Sequence, residues 1–185
     1  GIASGGFIDF LFHDLIPGMS SLKMVELGLA SDEDLHTWRN AIVAEIGGKV
    51  IGISLSYPSS YHRITPEMER FIPAERLDHV RKYYGARVRD SWLLESLAVF
   101  PEYHKRGVGS RLIALTKSRA KDRGYPSLSL LVYTDNMAAQ RLYSRHGFLV
   151  VQQVELESHK YIPHEGGCLL MKCSLEKTGQ IQLKR

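Results

Sequence analysis

The sequence predicts an α/β fold, a mixed and mostly antiparallel central sheet flanked by helices, on three observations. "NAIVAEIGGKVIGISLSYP" carries apolar strand patterns on either side of Gly47-Gly48, the signature of a hairpin. "SWLLESLAVF" and "SLSLLVY" are nearly continuous apolar runs, as expected of strands covered on both faces. Between them stands a helical period, the crossover that parallel neighbours require.

Each element follows in order. Phe7, Phe10, Leu11 and Leu15 recur at helical spacing until the Pro17-Gly18 breaker, so the chain opens inside a helix. A second short helix is predicted from Ser31 to Trp38, with Ser31 as cap and Asp32, Glu33 and Asp34 suiting its positive end. Pro58 closes the hairpin. Residues 65–84 read as helix broken at Pro73, polar enough to form a surface insertion over 59–84. The 91–100 strand, a turn and a helix to about Arg123 follow, with Gly124 ending the helix. After the second apolar strand, "NMAAQRLYSRHGF" is a short helix with Gly147 behind it. "FLVVQQVELES" and "GCLLMKCSL" close the chain as two strands around the polar loop SHKYIPHEG.

A chain of 185 residues, 44% of them hydrophobic, supports one well-buried core and is short for two, so 1–185 reads as one domain. The net charge of +4 suggests phosphorylated ligands or nucleic acid. However, Lys23, Arg39, Arg63, Arg70, Arg87 and Lys121 are scattered rather than forming a stripe interleaved with aromatics, which argues against a nucleic-acid groove. Cys168 and Cys173 sit an odd number of residues apart, on opposite faces of one strand, and a reducing cytoplasm fits. No apolar run reaches the roughly 18 residues of a membrane span, and GIASGG lacks the pattern of a signal peptide. With no initiator methionine, residues before Gly1 are expected. A homodimer through exposed terminal strands is compatible with this pattern and not decided by it.

The chemistry concentrates in "FPEYHKRGVGSRLIALTKSRA". Gly107 and Gly109 lie between a strand end and a helix start, where several backbone N–H groups have no helical partner. The missing side chains, the helix dipole, Lys105 and Arg106 suit a phosphate or pyrophosphate. A plain connection that uses glycine for positive φ would look the same, so the turn alone does not choose. A dinucleotide fingerprint would need glycine or alanine at Leu112, and a P-loop would need G-K-[ST] where Gly109-Ser110-Arg111 stands.

Two linked motifs decide between those readings. "LESLAVFPEYHKRGVGSRLI" and "SLLVYTDNMAAQRLYSRHGF" together resemble the GNAT superfamily of acyl-CoA-dependent N-acetyltransferases, over roughly Asn40 to Cys173. The resemblance implies a V-shaped splay between the 91–100 and 127–133 strands, the family's fourth and fifth. It also implies that a first strand precedes the opening helix, outside this sequence. By the same carry-over, the backbone of Leu97, Ala98 and Val99 pairs with the pantetheine arm of acetyl-CoA, and an N–H near Leu97 polarises the thioester carbonyl. Lys105, Arg106, Gly107, Val108, Gly109 and Ser110 cradle the pyrophosphate, Asn136 bonds the pantetheine, and Tyr143 stands near the sulfur. The family's loop begins with glutamine or arginine; here that position is His104, which puts one side-chain contact in question.

Acetyl transfer to an amine explains these residue types. A base must deprotonate the ammonium, fixed N–H groups must meet the developing oxyanion, and a donor must meet the departing thiolate. Tyr143 suits the donor, and Glu95 is the expected base. Its spacing puts Glu95 on one strand face with Leu97 and Val99, and burial there would raise its pKa. Some family members carry the glutamate two residues earlier, at Leu93 here, and others at the position of Leu131. No metal is expected, because no H-E-x-x-H occurs and His159 and His164 flank a loop with Tyr161 and Pro163. The expected function is N-acetylation of a small-molecule or protein amine, the acceptor being a polyamine-like or amino-acid amine, an antibiotic, or a protein terminus or lysine. A catalytically silent acyl-CoA-binding module is the alternative.

Overall fold

The computed structural model describes residues 5–30 and 38–176. In order come α1 (Phe7–Phe12), α2 (Ser21–Ala30), β1 (Ala41–Ile46), β2 (Lys49–Pro58), α3 (Pro66–Phe71), α4 (Ala74–Gly85) and β3 (Trp92–Val99). These are followed by α5 (Val108–Asp122), β4 (Ser127–Tyr133), α6 (Met137–Arg145), β5 (Leu149–Val154) and β6 (Cys168–Ser174). The strands form one six-stranded sheet in the order β1-β2-β3-β4-β6-β5. All neighbours are antiparallel except β3 and β4, which are parallel because α5 carries the chain back between them.

Helices cover both faces of the sheet. On one, Leu112, Ile113, Thr116 and Ala120 form a single buried stripe of α5. Ile113 and Ala120 of that stripe, with Tyr143 of α6 and Phe148, pack on Trp92 and Leu94 of β3, Leu128, Leu130 and Val132 of β4, and Met171 and Cys173 of β6. On the other face Phe10 and Leu11 of α1 and Leu77 and Val80 of α4 join Leu156, Ile162, Cys168 and Leu170. The two cysteines thus fall on opposite faces, as their spacing predicts.

The Gly47-Gly48 turn is as expected, with φ of 56° and 77°, the left-handed pair that a two-residue hairpin needs. Three expectations need adjustment. The predicted helix at 31–38 falls mostly outside the described residues, and α2, at Ser21–Ala30, is not anticipated by the sequence pattern; its Leu22 and Leu27 are exposed. The last strand pair is shorter than predicted at its first member, β5 ending at Val154. Nor is the 65–84 segment a surface appendage: α4 buries Leu77 and Val80 at i, i+3 and closes one face of the sheet. Its many charged residues mask that stripe in the sequence.

The parallel pair is pinned at its base. Ser91 Oγ lies 2.8 Å from Ser129 Oγ, both fully buried, and donates to Val88 O at 2.9 Å. Ser129→Ala leaves a buried hydroxyl with one partner fewer and is expected to cost about 1–2 kcal/mol, read as a lower urea midpoint at unchanged slope.

Candidate active site

β3 and β4 touch only at Trp92↔Leu128 and Leu93↔Ser129; beyond these pairs they part. β4 keeps bonding β6 and β3 keeps bonding β2, so Leu94 to Val99 present one edge to the gap. Phe100 N donates to Ile51 O at 3.0 Å, and antiparallel alternation then directs the polar groups of Ala98 to Ile53 on β2. Leu97 and Val99 therefore turn theirs into the gap. This corrects the expectation for Ala98, whose N–H and C=O are committed to the sheet and are not available to a ligand. Val99 O in turn accepts from His104 Nε2 at 2.8 Å. The residue that departs from the family's loop pattern thus ties the start of the turn back to the end of β3.

A β-bulge reorients Glu95. Leu55 opposes Ser96 and Ser56 opposes Leu94, leaving Glu95 as the extra residue. Two-residue alternation fails across such a point. Leu94 and Leu97, three apart, pack on the α5 and α6 face, and the Val99 side chain points toward Gly109 and Leu112. Glu95 lies on the opposite face, where Tyr57 donates a hydrogen bond to it and its charge is felt by Tyr83 and Tyr84 of α4. Its Oε2 is buried. The expectation that Glu95 shares a face with Leu97 and Val99 is therefore corrected, the bulge being the reason.

The turn at 104–110 has the form of an anion cradle. Lys105 (φ 58°) and Gly107 (φ 81°) are both left-handed. Gly107 caps α5 without a side-chain bond, and no acid stands in the first turn. The first backbone bond of α5 is Arg111 N to Gly107 O, so the N–H groups of Val108, Gly109 and Ser110 have no helical acceptor. A Cβ at Gly107 would meet nothing within 4 Å, so space lies open over these donors. Lys105 and Arg106 flank them, Arg106 lying 5.6 Å over the Tyr103 ring. A fifteen-residue helix dipole, free N–H groups and two cations suit a pyrophosphate.

On α6, the Asn136 side chain accepts from Ala139 N at 3.1 Å as the helix cap, which leaves its amide N–H₂ as donor for a ligand. Gln140, which no motif singles out, donates to Tyr133 O and Thr134 O at 3.1 and 2.7 Å and locks α6 to the end of β4. Tyr143 is 8% exposed and meets Phe148 edge-on at 5.7 Å. Burial pushes its phenol up to about 12, so it holds its proton at neutral pH. Leu97, Val99, the turn and Tyr143 all belong to the α5 and α6 side of the sheet, with Glu95 on the other. His159 and His164 are engaged locally: His159 N bonds Ile162 O at 3.0 Å, and His164 stacks on Tyr133 at 3.8 Å with Nδ1 2.9 Å from Asp135. Among the described residues, no group of three His, Cys, Asp or Glu could hold a metal, and no helix is long and apolar enough to cross a membrane.

A mixed sheet whose one parallel pair parts beside an open glycine turn defines the N-acetyltransferase fold. A crystal structure of an acetyltransferase has it too, superposing with a TM-score of 0.61 at 23% identity over 94% of this chain and 95% of that one. Nourseothricin acetyltransferase superposes at 0.51, with 21% identity over 74% of this chain and 65% of that one. The chain belongs to the acetyltransferase (GNAT) family, whose model matches residues 11–148. A stretch of 68 residues, 35% of the chain, is 31% identical to streptothricin acetyltransferase A of Bacillus subtilis (strain 168) and spans 39% of that relative's length.

Proposed function

We propose that this protein is an acetyl-CoA-dependent N-acetyltransferase acting on a primary amine by direct attack, in the cytoplasm. The observation that carries the reading is the adjacency of two features: the parted edge of β3, with Leu97 and Val99 turned into the gap, and the unpaired N–H groups that open α5 a few residues on. The pyrophosphate fits the turn at Lys105, Arg106, Gly107, Val108, Gly109 and Ser110, and the pantetheine fits the edge at Leu97 and Val99 with Asn136 as donor. Glu95 takes the amine's proton. The Leu97 N–H meets the oxygen that gains charge, and Tyr143 protonates the departing thiolate. Because Glu95 and Tyr143 stand on opposite faces of the parted strands, the amine reaches the thioester from the α1 and α4 side while CoA lies on the α5 and α6 side.

For the acceptor, the relative named for streptothricin makes an amine-bearing antibiotic the first candidate, ahead of polyamine-like, amino-acid and protein amines. Calorimetry with acetyl-CoA, run beside a thiol-release assay over those four amine classes, tests the reading. Binding with turnover of at least one class is expected. Binding without turnover on any of them would sink the catalytic reading in favour of a silent CoA-binding module, and no binding would remove the account of the turn. In the same assay Glu95→Gln is expected to lower turnover about 100-fold with acetyl-CoA affinity held. Equal loss of affinity would remove Glu95 from the role of base.

A further inference from the structure

We propose that Tyr57, on β2, is a positioning residue for Glu95: its phenol donates a hydrogen bond to the carboxylate and orients it. The inference rests on the reading of Glu95 as base and adds to it a residue on a neighbouring strand. Tyr57 opposes Leu93, and Glu95 stands two residues further along β3, the diagonal across an antiparallel pair that a long aromatic side chain can span. The bulge at Leu94 to Ser96 breaks the alternation just beyond and leaves Glu95 on the face of Tyr57. Tyr57 is 2% exposed. A phenylalanine would fill that space equally well, so the buried hydroxyl is explained by its bond to Glu95.

The groups packed around the carboxylate are mostly phenols. Tyr57 of β2 and Tyr83 and Tyr84 of α4 feel its charge. Behind them Cys168 of β6 and Tyr133 of β4 act on Tyr83, with Asp135 beyond. His62 packs on the Tyr83 and Tyr84 rings at 5.1 Å each, its Nε2 3.1 Å from Tyr83 O. Burial holds the Tyr57, Tyr83, Tyr84 and Tyr133 phenols above their ordinary range and pushes the Cys168 thiol up to about 12. These five groups stay neutral through the range in which a carboxylate or an imidazole titrates. A donor to a carboxylate favours its ionised form, so removing the donor lets a proton bind at higher pH.

The experiment is the pH profile of kcat/KM for the wild type, Tyr57→Phe, Glu95→Gln and the double variant, with the amine that turns over best. Tyr57→Phe is expected to move the acid limb upward by about one pH unit, to lower the plateau less than about tenfold, and to leave the KM for acetyl-CoA unchanged. On the Glu95→Gln background, adding Tyr57→Phe is expected to change turnover less than about twofold, because the hydroxyl acts through the carboxylate. A Tyr57→Phe profile that superposes on the wild type while Glu95→Gln loses about 100-fold would overturn the inference and leave the base assignment standing. A further loss of about tenfold in the double variant would overturn it as well, by giving Tyr57 a role of its own. If Glu95→Gln keeps full activity or keeps the acid limb, the limb belongs to another group such as His62 and both readings fall.

Discussion

Tyr143→Phe is expected to lower kcat by about 100-fold while the affinity for acetyl-CoA stays within about twofold, the separation that marks a group acting on the leaving atom. Burial is the starting point. Tyr143 is 8% exposed, packed edge-on to Phe148 in the core that α5 and α6 build over the sheet. Phenylalanine keeps that packing, so the melting temperature should move by no more than about 3 °C. What is lost is one proton. Because burial raises the phenol to about 12, the wild type keeps the donor protonated to about pH 11, and no alkaline limb from Tyr143 should appear below that. Stopped-flow measurement of thiol release, with calorimetry for affinity, checks both parts. An unchanged kcat would mean that the thiolate leaves unassisted or is met by another donor, and would return Tyr143 to a packing role.

The second large effect is expected at Ser110→Asp. Ser110 is the third residue of α5, where an acidic side chain favours the helix by about 0.3–1 kcal/mol, so stability should hold or rise slightly. The same carboxylate would stand within a few ångströms of a pyrophosphate held on the Val108, Gly109 and Ser110 N–H groups. Two charges about 4 Å apart at an effective dielectric of about 20 repel by about 4 kcal/mol. Allowing for relaxation, a loss of about 100-fold in acetyl-CoA affinity is expected, easing as salt screens the repulsion. Ser110→Asn is the neutral control and should bind nearly as the wild type does. A thermal melt of each variant separates repulsion from unfolding as the cause of weak binding. If the Ser110→Asp variant melts normally and binds CoA normally, the phosphate lies away from this turn.

Much of the fold and the backbone form of the 104–110 turn were legible in the sequence because they depend on local backbone chemistry. Gly47-Gly48, Gly107 and Gly124 each sit where a positive φ is required, and all four take one. The α5 and β4 assignments follow from periodicity and continuous apolar character. The harder positions were those where a neighbour decides. His104 departs from the family's pattern, yet its ring finds Val99 O at 2.8 Å, a partner that no spacing rule names. Gln140 reads as an ordinary helix polar residue until β4 brings two carbonyls to it. The charged segment over 65–84 hides a core stripe, since Leu77 and Val80 are few among its lysines, arginines and acids.

The order of elements from β1 onward, the single parallel crossover, the left-handed glycine turns and the family can therefore be read from the chain alone, because they rest on short-range periodicity, turn chemistry and two motifs at fixed spacing. Which face each group of the parted strands takes is settled only when the strands pair. One extra residue in β3 opposite Leu55 and Ser56 reverses the alternation from which a face is read, carrying Glu95 to Tyr57 and away from Leu97 and Val99. A bulge is a property of two paired strands, and neither strand alone encodes it.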